Sequence, residues 1–170
     1  MSDPRSLESE LHAFTYLKLD PNNPQHLVAS ESELIRLYAS RGMRVPEAIF
    51  KLADGCITVE VKRIPGNSLP CEQGGPQRKL RRRERIIWPW TSTVVNAMKK
   101  TTPLLSREYG IVGHHVVFVI PNTLKRKARC RLQNHVLTTV NAFRDDKEVH
   151  PNVTIHIIDA PVEMFDRLCP

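Results

Sequence analysis

The sequence has few cysteines, and those it has are scattered. Cys56, Cys71, Cys130 and Cys169 form no CxxC pair and no Cys/His grouping at zinc spacing. Neither a zinc module nor a disulfide framework is suggested on that ground, and reduced, intracellular thiols are the default. Long apolar runs are missing too. The most apolar stretch, Val116 to Ile120, is far too short to cross a bilayer, and Met1 to Leu17 carries acids rather than a continuous apolar segment. The expectation is a soluble, intracellular protein, cytoplasmic or nuclear, that is not secreted by the usual route. His114, His115, His135, His150 and His156 show no HxxxH or HExxH spacing and read as surface or core histidines. No internal repeat occurs, and the one biased tract is a basic run.

What is present begins with that run. Lys plus Arg number 25 against 18 Asp plus Glu, a formal charge of +7 in 170 residues. The excess is concentrated in Arg63, Arg78, Lys79, Arg81, Arg82, Arg83 and Arg85. Clustered cations favour a polyanionic partner, because each phosphate contact releases condensed counterions. A solvated loop or a nuclear-import signal explains the same run equally well. A chain of this length buries roughly two thirds of the surface its unfolded form exposes, so one domain with a real core is expected.

Along the chain, residues 1–29 read as an N-terminal arm with a short helix from Ser6 to Leu17 and a turn-rich Asp20-Pro-Asn-Asn-Pro24. The rest, 30–170, reads as one domain. Ser30 is placed to cap a helix whose apolar stripe is Leu34, Ile35, Leu37, Tyr38 and Ala39, ending before Gly42. Two β-like runs follow, Val45 to Ala53 and Cys56 to Ile64, joined by Asp54-Gly55, a strong hairpin signal. Pro65 to about Trp90, rich in proline and glycine before the basic run, reads as an inserted loop. Trp88 and Trp90 there read as packing residues more than as a base-stacking platform. A helix is expected at Ser92 to Lys100, a buried strand at His115 to Ile120, a helix at Lys125 to Phe143 and a last strand at Val153 to Ile158. That order predicts an α/β fold, a mixed central sheet flanked by helices.

The hairpin carries the chemistry. A two-residue turn at Asp54-Gly55 sets Ile49 opposite Glu60 and Glu47 opposite Lys62, and strand alternation puts Glu47, Glu60 and Lys62 on one face. Opposed side chains have Cβ atoms roughly 5 Å apart, near enough for two carboxylates to share a divalent cation with an ammonium beside it. Asp54, at the turn, is too far along the strand to join them. On the preceding helix, Glu31 falls within about 20° of the centre of the apolar stripe, whereas Glu33 points nearly opposite and fits a Ser-x-x-Glu capping box with Ser30. An acid on a buried face costs several kcal/mol unless a cation or hydrogen bonds satisfy it. The bland account of Glu47, Glu60 and Lys62 is a solvated cross-strand ion pair worth at most about 1 kcal/mol.

Pro46-Glu47, twelve residues, then Glu60-Val61-Lys62 resembles the PD-(D/E)xK motif of restriction-endonuclease-like nucleases. Glu31 with Leu34, Ile35, Tyr38 and Gly42 is similar to that superfamily's first-helix pattern, and with the Asp-Gly hairpin the resemblance runs closest to archaeal Holliday-junction resolvases. It covers Ser30 to Arg63, about a fifth of the chain. The resemblance implies an αβββαβ core, catalysis by Glu31, Glu47, Glu60 and Lys62, and Mg2+ or Mn2+ held by the three glutamates. It also implies action on nucleic acid, DNA ahead of RNA, frequently as a homodimer. Glu47 stands where the family usually has aspartate, one methylene longer, and the glutamine-bearing helix of several branches is missing. A nuclease fold kept as a nucleic-acid-binding or protein-interaction module is the alternative.

Overall fold

A computed structural model describes residues 4–38, 43, 45–64, 102–123, 126, 129, 130, 133, 134 and 152–165. Five strands form one sheet in the order β1-β2-β3-β4-β5. They are β1 (Leu27–Ser30), β2 (Ala48–Leu52), β3 (Gly55–Arg63), β4 (Ile111–Pro121) and β5 (Val153–Ala160). β1 with β2 and β2 with β3 pair antiparallel, while β3 with β4 and β4 with β5 pair parallel. Helix α1 (Pro4–Tyr16) lies on one face; helix α2 (Glu31–Tyr38) and the helical stretch 102–109 lie on the other. The chain is therefore a mixed α/β protein with a mixed sheet flanked by helices.

β3 is central and parallel to β4, so both its faces are covered, and Ile57 to Val61 are buried without a break. Alternation along it sorts two cores. Ile57, Val59 and Val61 join Ala48, Phe50, Val117, Val119, Ile158 and Ala160 beneath Ala13, Phe14 and Leu19. Across the sheet, Ile49, Ala29 and Ile111 pack with Leu34 and Tyr38 of α2 and with Leu105. Phe14 meets Phe50 edge to face, ring centroids 5.1 Å apart.

Several local expectations differ from what forms. Residues 1–29, set apart by sequence as an arm, carry α1 and most of β1, and supply Ala13, Phe14 and Leu19 to the core. Leu27-Val28-Ala29 is the short β-prone run that pairs with β2, with a register shift between Leu27 and Ala29. The turn of the hairpin is Ala53-Asp54, not Asp54-Gly55, because Leu52 pairs with Gly55. Gly55 is spent on packing instead. Its φ is +141°, and a Cβ there would lie 2.5 Å from Val112 Cγ1. On α2 the buried residues are Leu34 and Tyr38, while Ile35 and Leu37 are about half exposed, so the stripe is narrower than the sequence implies. Ser30 behaves as expected: its N–H and its hydroxyl both donate to Glu33 Oε2 at 2.8 Å. The loop at about 65–90 with Arg78, Lys79, Arg81, Arg82, Arg83 and Arg85, the tryptophans, the helix expected at 92–100 and most of that expected at 125–143 lie outside the described residues. Among the described residues, no helix is long and apolar enough to cross a membrane.

Candidate active site

The hairpin register determines what the acids meet. Ala48 pairs with Val59 and Ile49 with Thr58, so the next step sets Glu47 opposite Glu60, where the sequence set it opposite Lys62. The slip is by two residues, and a shift of two preserves the facing of every side chain. Glu47, Glu60 and Lys62 thus share the α2 face. The turn holding Asp54 lies at the other end of the hairpin, exposed.

The contacts are close. Lys62 Nζ lies 2.5 Å from Glu60 Oε1 and 3.2 Å from Glu47 Oε1, and it donates to the Val61 carbonyl at 3.0 Å. The Val61 N–H donates to Glu47 Oε2 at 2.8 Å. Glu47 sits one residue before β2 begins, so its carboxylate takes over a main-chain donor just beyond the last ladder pair. Side-chain exposure is 14% for Lys62, 11% for Glu47 and 9% for Glu60, which removes these charges from the solvated ion-pair class. Two carboxylates face one ammonium with little water. Burial, and then the neighbouring Glu60 charge, push the Glu47 carboxyl well above the usual carboxylate range, against the pull of Lys62 and the Val61 N–H.

Glu31 opens α2 directly after Ser30, which pairs with Ala48. The β1–β2 ladder ends at Ser30–Ala48, so Glu31 starts α2 where the strand pairing stops, while Glu47 lies just beyond Ala48 in the other strand. Glu31 is partly buried and lies on the side of α2 that carries Leu34 and Tyr38. Among the described residues, no three His, Cys, Asp or Glu side chains stand together in a geometry that holds a metal ion. Glu33 is committed to the cap, and its hydrogen bonds from the Ser30 backbone and hydroxyl hold its carboxyl below the ordinary range. Arg63, grouped by sequence with the phosphate-gripping cations, alternates to the other face and donates to the Met164 carbonyl at 3.3 Å.

One pair beside the acids escaped the sequence. Thr58, two residues before Glu60 on the same face, has its Oγ1 2.6 Å from His114 Nδ1, and both residues are buried. Alternation already places Thr58 near Glu60. His114 enters only through the parallel β3–β4 pairing, in which Thr58 stands against His114, and no local pattern announces that partner.

Fold and site together define a mixed α/β protein with a buried carboxylate and lysine cluster where β2 begins and β3 ends. No protein-family model matches the chain, and no curated protein matches it. Among solved structures it is similar to SfsA of Pyrococcus furiosus in complex with Ca2+, with a TM-score of 0.39 and 15% identity; the match covers 92% of this chain and 58% of that one. The chain therefore spans less than two thirds of that protein's length.

Proposed function

We propose that this protein is a divalent-metal-dependent nuclease of the PD-(D/E)xK type that hydrolyses phosphodiester bonds, with DNA the favoured substrate and internal cleavage the favoured mode. The observation that carries the reading is the convergence of Glu47, Glu60 and Lys62 within 3.2 Å on one sheet face, nearly excluded from water. The donor chemistry fits a hard cation such as Mg2+ or Mn2+. Carboxylate oxygens are its preferred ligands, and Glu47 and Glu60 bring two of them to a buried place where burial first, and then the Glu60 charge, raise the Glu47 carboxyl. Glu47 and Glu60 would hold the ion, with Glu31, at the start of α2, the third donor that the sequence resemblance names.

Such an ion supplies Lewis-acid stabilisation of the scissile phosphate and a lowered pKa for the attacking water. The chain's own groups do the remaining work. The Val61 N–H fixes Glu47 Oε2, so that carboxylate is oriented by the main chain. Lys62, an ammonium beside both acids, orients the attacking water and offsets charge as it grows on the phosphate. Arg78, Lys79, Arg81, Arg82, Arg83 and Arg85 would grip phosphates flanking the cut. A homodimer on DNA follows from the family resemblance.

A second reading has its own observation. Lys62 already bridges both carboxylates, the arrangement expected of a nuclease fold that lost its metal and kept a nucleic-acid-binding or protein-interaction role. Cleavage of plasmid and single-stranded DNA in Mg2+, Mn2+ or EDTA separates the two. The nuclease reading expects metal-dependent cutting that Glu60→Ala or Lys62→Ala abolishes. The binding module expects retained affinity, no cutting in any metal, and affinity lost on neutralising Arg81, Arg82 and Arg83.

A further inference from the structure

Away from the acids, the α1 face holds a second group of titratable side chains. His115 Nδ1 on β4 lies 3.0 Å from His156 Nε2 on β5, with ring centroids 5.2 Å apart and planes 13° apart. Tyr16, the last residue of α1, packs edge-on against His156 at 5.6 Å. One turn earlier on α1, His12 Nε2 is 2.7 Å from the Asp159 carbonyl, and since a carbonyl only accepts, that nitrogen carries the proton. The C-terminal half of α1 therefore rests on β5 through imidazoles as well as through Ala13 and Phe14.

A hydrogen bond between two imidazoles needs one donor and one acceptor nitrogen, so at least one ring must be neutral. When both are cationic, both nitrogens donate and like charges face each other at contact distance. The surroundings offer little relief. α1 presents His12 and Tyr16, with Glu8 exposed a turn earlier; β3 presents Val59 and Val61, with Arg63 beyond them tied to Met164; β5 adds Thr154 and Ile158; and the 3-10 turn after β5 carries an exposed Glu163.

We propose that the His115–His156 pair, capped by Tyr16, is an acid-sensitive latch that holds α1 on the sheet at neutral pH and loosens it when both rings take up protons. Burial lowers both imidazoles below the ordinary histidine range, His115 further through the charge of His156. With the docked-state values depressed, the latch is fully closed above the ordinary value of about 6.5 and weakens as pH falls through and below it. Loosening α1 would bare Phe50, Val59 and Val117, an apolar surface on the side opposite the acids.

Hydrogen exchange of the full chain at pH 7.5 and pH 5.5, corrected for intrinsic rates, tests this. The expected result is about tenfold loss of protection in α1 amides for each unit by which a histidine is depressed, with β3 and β4 amides unchanged. His115→Gln, which keeps a donor and an acceptor but cannot charge, should diminish that pH dependence to the part that the burial of His156 alone supplies. Equal α1 protection at both pH values, simultaneous opening of α1 and the strands, or an undiminished response in His115→Gln would overturn the latch. Should His115→Gln not fold, ring-proton titration of the native protein decides the matter. Loss of the Tyr16–His156 ring contact in step with the histidine titration supports the latch, and its persistence through that titration refutes it.

Discussion

The two faces of β3 have been put to opposite uses. Towards α1, Ile57, Val59 and Val61 sit in a continuous apolar layer; towards α2, Thr58, Glu60 and Lys62 alternate with them on the same backbone and are buried or nearly so. One face removes carbon from water at a favourable ~25 cal/mol per Å2, while the other removes charge from water at a cost that only close partners offset. The difference teaches that one strand can carry an apolar layer on one side and a buried charge cluster on the other, provided that the charges stand close enough to offset their lost hydration.

The comparison breaks most visibly on the apolar side. Phe50→Ala, beneath Phe14 and fully buried, should cost about 3–5 kcal/mol of stability by chemical denaturation and leave any cleavage per folded molecule unchanged. On the polar side, Glu60→Ala should reduce metal-dependent cleavage by on the order of 10²–10³-fold while the fold persists, measured on plasmid DNA alongside circular dichroism. Glu47→Gln sharpens the contrast further. The raised Glu47 carboxyl keeps a proton in the folded state that the unfolded chain releases near pH ~4.3, so without divalent ions stability falls as pH rises from there. Glu47→Gln should flatten that fall between pH 5 and pH 8 in urea denaturation, and on the proposed function it should also remove any added stability that Mn2+ brings to the native chain. The smallest effect is local to α2: Ser30→Ala deletes a hydroxyl contact to Glu33 and should cost ~1 kcal/mol in thermal unfolding.

How far these features could be read from the sequence follows their range along the chain. The Ser30–Glu33 cap spans three residues, and both partners are where the sequence puts them. The common face of Glu47, Glu60 and Lys62 was legible because alternation has a period of two, and it survived a turn assigned one residue too late. The turn lies one residue earlier, at Ala53 and Asp54, because Leu52 pairs with Gly55, and the glycine's closeness to Val112 of β4 is a distant contact that no local pattern carries. Distance hid the rest as well. β1 is four residues long and gains its identity from pairing with β2, and the Thr58–His114 contact depends on a parallel neighbour separated by a long crossover. The half exposure of Ile35 and Leu37 reflects what α2 packs against, which helical periodicity does not encode.

The two oxygens of Glu47 live under different contracts. Oε2 is held by the Val61 amide, a donor the backbone cannot withdraw, while Oε1 accepts from the ammonium of Lys62, a side chain. One end of that carboxylate is therefore fixed by the main chain and the other by a side chain, so replacing Lys62 would change the second hold and leave the first in place.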